Sequence, residues 1–222
     1  MSTRTSPLKL KLPLTLWNIA LALFSITGTI RTWPEMAHVL TRFGFHHSVC
    51  ANTFHKEVPI SSFWTWLFIL SKAPELIDTV FVVLRKQKLI FLHWYHHATV
   101  LIFTWYAYAD EASTGRWYCT MNYGVHAVMY SYYALRALGV RIPRQLAMCI
   151  TISQIAQMVM GTFVTFYAFY AKSNGRQCDM SFSTLYAGIA IYISYFILFA
   201  QFFIASYLVP KKPKKTTEAK KT

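Results

Sequence analysis

The sequence predicts an all-α polytopic membrane protein of one domain, and three observations carry that reading. Of 222 residues, 55% are hydrophobic and only 14% charged. The apolar residues gather into continuous runs, and the 22 basic residues, facing 8 acidic ones, mostly flank those runs. A soluble basic domain would spread its Lys and Arg over a polar surface around one core, so nucleic acid is not an expected partner. A disordered chain would lack the apolar content and the 17% of aromatic residues. With a mean hydropathy of +0.34, the bilayer is the remaining solvent and membrane lipid the first expected partner.

Six runs are long enough to cross about 30 Å of hydrocarbon at about 1.5 Å per residue: 14–30, 63–84, 89–108, 117–138, 146–171 and 182–209. Helices are expected over all six, because only helices or closed barrels satisfy the backbone in lipid and these runs are continuous rather than alternating. Lys and Arg set the orientation. With the N-terminus in the cytosol, 15 basic residues fall on the cytosolic side and 6 on the other, and Lys72 lies within a span. Both termini are therefore expected in the cytosol. Residues 1–209 read as one transmembrane domain, and the Lys-rich stretch 210–222 as a disordered basic tail. Cys50 and Cys178 fall in two loops on the non-cytosolic side, where an oxidising lumen permits a disulfide between them.

The residues that lipid should exclude are the informative ones. The second span carries Lys72, Glu75 and Asp78 with Thr79, spaced as one helical stripe; a buried charge there needs a partner, so Lys72 is expected to pair with Glu75 or Asp78. The third span opens with His93-Trp94-Tyr95-His96-His97, and its three imidazoles share one helical face. The fourth aligns Asn122, His126, Tyr130 and Tyr133, and the fifth brings Gln154 and Gln157 to the same depth. These stripes predict a polar chamber inside the bundle, entered from the cytosol. Arg85 and Lys86, with Lys88, Arg136, Arg141 and Arg144, stand at its mouth, where they suit phosphate groups, although the positive-inside rule alone accounts for them.

Three chemistries compete for the histidines. A di-iron oxygenase needs around eight ligands on one side of the membrane, but only His93, His96, His97 and His126 are intramembrane; His38, His46, His47 and His55 lie on the other face. A proton-coupled transporter would fit internal Lys, Glu, Asp and His, yet no internal repeat is evident and Pro74 is the only proline well inside a span. Acyl transfer fits best: a neutral imidazole attacks a thioester, and the acyl-imidazole stays reactive toward a carbon nucleophile.

The run from Lys72 to Phe81 (KAPELIDTVF), the following Leu84-Arg85-Lys86, the HWYHH box, the run from Met121 to Tyr130 (MNYGVHAVMY) and the run from Thr151 to Gln157 (TISQIAQ) together resemble the fatty acid elongase (ELO) family, in order and with the family's spacing. Trp94-Tyr95 inside the box resembles the branch acting on saturated and monounsaturated chains. The resemblance implies a 3-oxoacyl-CoA synthase of the endoplasmic reticulum that condenses acyl-CoA with malonyl-CoA, without metal or cofactor. It implies six helices in a barrel around an acyl tunnel, with the family's first, outer helix missing from this chain. It further implies His96 as nucleophile, His126 activating it, and Asn122, His93 and His97 stabilising oxyanions and relaying protons. Glu75 and Asp78 would orient the histidines, and Lys72 would pair with them or with a coenzyme A phosphate. Other enzymes of the elongation cycle or a second copy of the chain are the protein partners it implies.

Overall fold

The computed structural model describes residues 9–209, and the basic stretch 210–222 lies outside them. The described residues form helices joined by turns and short loops, with no strand among them. In chain order they form α1 (Lys11–Arg42), α2 (Gly44–Cys50), α3 (Thr53–Lys56), α4 (Pro59–Ser71), α5 (Ile77–Leu84), α6 (Phe91–Ala109), α7 (Gly115–Leu138), α8 (Arg144–Ser173) and α9 (Phe182–Phe203). A 3-10 turn at Pro74–Leu76 separates α4 from α5, and a π-helical segment, Ile204–Leu208, continues α9.

Among the described residues, three helices are long and apolar enough to cross a membrane by length and composition: Lys11–Arg42, Arg144–Ser173 and Phe182–Leu208. Two of the six runs read from the sequence differ in extent from the helices found. The run 63–84 is not one helix: it breaks at Lys72–Leu76 because Pro74 has no N–H to continue the ladder. The carbonyl of Leu70, which Pro74 cannot serve, accepts the Ala73 N–H at 3.2 Å, and that of Ile69 accepts both the Lys72 N–H at 3.3 Å and the indole N–H of Trp105 at 3.1 Å. The first span is also longer than its apolar run. Helix α1 continues past Arg31 and through Pro34, so Glu35 and Arg42 are helical rather than looped.

The helices pack through small residues and rings. Helix α1 lies against α7 over most of its length, with Gly28 giving room for the ring of Tyr123. Helix α8 lies along α9, where a side chain at Gly161 would collide with the ring of Tyr192. Gly139, at a φ of +102°, ends α7 in a Schellman turn, with its own N–H on Arg136 O and that of Val140 on Leu135 O. The remaining large apolar side chains, among them Ile30, Ile102 and Phe163, stay exposed, which is how a bundle solvated by lipid is finished.

One end of the bundle is a tightly bonded cap. Cys50 and Cys178 are joined in a disulfide, the N–H of Asp179 donates to Cys50 O and that of Ser113 to Asp179 O, and Asp110 accepts both the N–H and the hydroxyl of Ser181 at the start of α9. Arg116 organises the rest: its buried guanidinium pairs with Glu35 of α1 at 3.1 Å and donates to the carbonyls of Ser48 and Ala51, which α2 leaves open at its C-terminus. Arg116→Met should lower stability by about 3–5 kcal/mol, because Glu35 is left as an uncompensated, mostly buried charge; denaturant unfolding in detergent micelles measures it.

Candidate functional site: a histidine chamber around a buried ion pair

The break between α4 and α5 puts two charges in the interior. Lys72 and Glu75 are 2% and 3% exposed. The Lys72 ammonium donates to Glu75 Oε1 at 2.7 Å and to Asn122 Oδ1 of α7 at 3.1 Å, and stands 4.1 Å over the ring of Phe68. Ser71 Oγ donates to the same glutamate oxygen at 3.0 Å, while the second oxygen faces His126 Nδ1 at 4.0 Å. The ammonium and one glutamate oxygen are thus fully engaged, as burial in low dielectric requires, while the second oxygen stands beyond hydrogen-bond distance of His126.

Helix α6 presents the other imidazoles. The spacing i, i+3, i+4 puts His93, His96 and His97 on one face; the rings of His93 and His97 are 4.5 Å apart and those of His96 and His97 5.6 Å. The Thr79 hydroxyl is hydrogen-bonded to His93 Nε2 at 3.1 Å. The His96 ring rests on Tyr195 at 4.8 Å, and the Tyr195 hydroxyl is bonded to Thr99 at 2.7 Å. On α7, the His126 ring meets Tyr130 edge-on at 5.2 Å.

These side chains surround a chamber of about 170 Å³ lined by all four histidines, Asp78, Asn122, Tyr130, Tyr133, Gln154 and Gln157. It continues inward. A second cavity of about 40 Å³ shares His96, Asn122, Gln157 and Met158 with the chamber, and a third of about 30 Å³ shares Phe68, Phe103, Thr104 and Tyr118 with the second and reaches Gly115 beneath the disulfide cap. The line of cavities changes character along its length, from imidazoles and amides outside to aromatic rings inside. A larger, open hollow of about 720 Å³ beside the cap, walled by Lys56, Glu111 and Asp179, is far from the histidines. Among the described residues, no three His, Cys, Asp or Glu side chains are grouped to hold a metal ion.

The comparison with known proteins supplies the family. Residues 1–215 match the model of the ELO, or GNS1/SUR4, family. The chain belongs to the ELO family. It is 49% identical over 220 residues to very long chain fatty acid elongase 6 of Mus musculus, covering 99% of this chain and 81% of that protein. It is 51% identical over 204 residues to very long chain fatty acid elongase 6 of Drosophila melanogaster, 91% of this chain and 65% of that protein. Very long chain fatty acid elongase 3 of Homo sapiens is 44% identical over 204 residues, 92% of this chain and 75% of its own.

In this ELO chain the predicted site residues meet unevenly. Lys72 pairs with Glu75 and not Asp78. Asp78 does not touch a histidine. Its two oxygens accept the Trp17 indole N–H at 2.7 Å and the Tyr130 hydroxyl at 2.9 Å, so it reaches His126 only through the Tyr130 ring. Gln154 donates to Met129 Sδ at 3.2 Å. Arg85 and Lys86 are exposed in the turn that follows α5 and leads to Ile90 on the chamber wall. Arg144 donates to the carbonyls of Ser206 and Tyr207 and lies over the Tyr207 ring.

Trp17, Tyr195 and Ser71 are the members that sequence reasoning missed. Only Trp17 left a signal, an indole with its hydrogen-bonding N–H in an otherwise aliphatic start to the first span. Two outcomes follow from this network. Lys72→Met should destabilise the fold by about 3–5 kcal/mol by orphaning Glu75, and Glu75→Gln added to it should recover part of that loss, as read from a double-mutant cycle of unfolding free energies. Trp17→Phe, which keeps the ring but removes the donor to Asp78, should cost about 1.5–3 kcal/mol in the same assay.

Proposed function

We propose that this ELO chain lengthens long-chain fatty acyl-CoA by two carbons, condensing it with malonyl-CoA to give 3-oxoacyl-CoA, CO2 and coenzyme A, and needs no cofactor besides these substrates. On this reading the bundle is a six-helix barrel around an acyl tunnel in the endoplasmic reticulum membrane. Its histidine chamber faces the cytosol and its disulfide cap faces the lumen. The names of its relatives support the reaction, and the observation that carries the reading is the line of three cavities, polar at the histidines and aromatic beyond them. Along α6, His96 to Tyr108 spans about 18 Å, room for an extended chain of about 14 carbons at the projection of a 1.5 Å carbon–carbon bond.

His96 is the imidazole that lines both the chamber and the second cavity, so an acyl group attached there points its chain inward. In the first half-reaction a His96 ring nitrogen attacks the thioester carbon, the N–C bond forms and the C–S bond breaks. The proton from the other ring nitrogen passes by way of a neighbouring imidazole to the departing thiolate. Malonyl-CoA then loses CO2, and its enolate carbon attacks the acyl carbon; the C–N bond breaks and the imidazole regains a proton. His126, backed by Glu75, faces the reacting group, and His93 and His97 relay protons. Asn122 is turned for oxyanion binding: the Lys72 ammonium can only donate, so the amide oxygen faces it and the NH2 is left toward the cavity. Arg85 and Lys86, with Tyr133 at the mouth, meet the phosphates of coenzyme A.

Incubation with acyl-CoA alone should release one equivalent of coenzyme A and leave an acyl group on the His96 peptide in the mass spectrum, and His96→Ala should abolish both. Release of coenzyme A that depends strictly on malonyl-CoA would refute the acyl-histidine order.

A further inference from the structure

The passage from the chamber to the second cavity is lined by four residues, His96, Asn122, Gln157 and Met158. Gln157 stands out among them. It is 7% exposed, on the inward face of α8, and its amide makes no hydrogen bond among the described residues. Its neighbour one turn earlier, Gln154, is already committed to Met129, and Asn122 to Lys72. Its amide lines both the chamber and the second cavity, so its NH2 is free to meet an acceptor that a ligand brings to the neck. The neck is also where an acyl chain seated in the inner cavities must place its carbonyl, since the carbon under attack has to reach His96.

We propose that the Gln157 NH2 is a catalytic oxyanion donor, paired with the Asn122 NH2 across the neck, for the carbonyl oxygen of the acyl thioester. The inference rests on the elongase reading above. As the nucleophile attacks, the carbonyl π electrons move onto oxygen, and the two amides donate to the anion. When the C=O bond reforms and the C–S bond breaks, both donors return to a neutral acyl oxygen and coenzyme A leaves with the proton from His96. The second half-reaction passes through a second oxyanion on the same atom, and the same donors serve it. Neither amide gains or loses a proton, so the contribution is preorganised dipoles in a site closed to bulk water.

Gln157→Met keeps the length and volume of the side chain but removes the donor. It should lower kcat for 3-oxoacyl-CoA formation about 100-fold, the size typical of losing one oxyanion donor. Binding of an S-alkyl-CoA thioether, whose methylene replaces the carbonyl, should stay within about threefold of the unaltered chain, because that ligand offers Gln157 nothing to bind. A kcat within about threefold of the unaltered chain, or thioether binding that weakens in step with turnover, would overturn the proposal and make Gln157 a wall of the tunnel. If Gln157→Met does not fold, Gln157→Glu takes its place with the same two readouts, and its carboxylate should cost at least as much. The elongase reading fails separately: it is refuted if the unaltered chain forms no 3-oxoacyl-CoA. If the unaltered chain reacts only with malonyl-CoA present, the Gln157 comparison stands, because direct condensation builds its oxyanion on the same carbonyl.

Discussion

The Lys72–Glu75 ion pair is the interaction around which this bundle is arranged. Two opposite charges placed among apolar helices must find each other and must then satisfy what remains of their hydrogen-bonding capacity. Pro74 makes the meeting possible by breaking the helix between α4 and α5, which brings Ser71, Lys72 and Glu75 round a single glutamate oxygen. The ammonium then reaches across to Asn122 and ties the break to α7. From that junction the orientation of the site follows. One glutamate oxygen is left for His126, and one amide NH2 for the cavity.

The two ends of the bundle are built differently, and the difference suits the proposed chemistry. Around the disulfide, loops from three parts of the chain are joined by a covalent bond, by Asp110 and Asp179 as acceptors, and by Arg116 closing the carbonyl end of α2. Such a cap closes the inner end of the cavity line and gives it a fixed floor. At the opposite end the walls are side chains on α5, α6, α7, α8 and α9, and α8 is tied to the π-helical end of α9 by Arg144 on the carbonyls of Ser206 and Tyr207 and by Thr151 on the Tyr207 hydroxyl. Helix α1 does not line the chamber, yet it reaches the chamber wall through Trp17 and Asp78. A helix that does not line the chamber thus helps to hold the Tyr130 ring against His126.

What the sequence determined by itself is the class of structure and the cast of the site. Hydrophobic runs and the placement of Lys and Arg specify helices in a membrane, since burial in lipid leaves the backbone no other solution. Helical periodicity puts His93, His96 and His97 on one face, because 3.6 residues per turn is a local property that needs no partner. The pairing of Cys50 with Cys178 was legible once both were assigned to one side of the membrane. The tertiary structure decided everything that depends on two elements meeting. The reach of Lys72 to Asn122, 50 residues away, the capture of Asp78 by Trp17, 61 residues away, and the bond of Gln154 to Met129 are contacts between helices whose register no single run of residues records. The break at Pro74 falls between the two cases. The proline was visible in the sequence, but the form of the break depends on how the carbonyls before it are met: Leu70's by the Ala73 N–H within the turn, and Ile69's by the Lys72 N–H and by Trp105, a residue of the neighbouring helix.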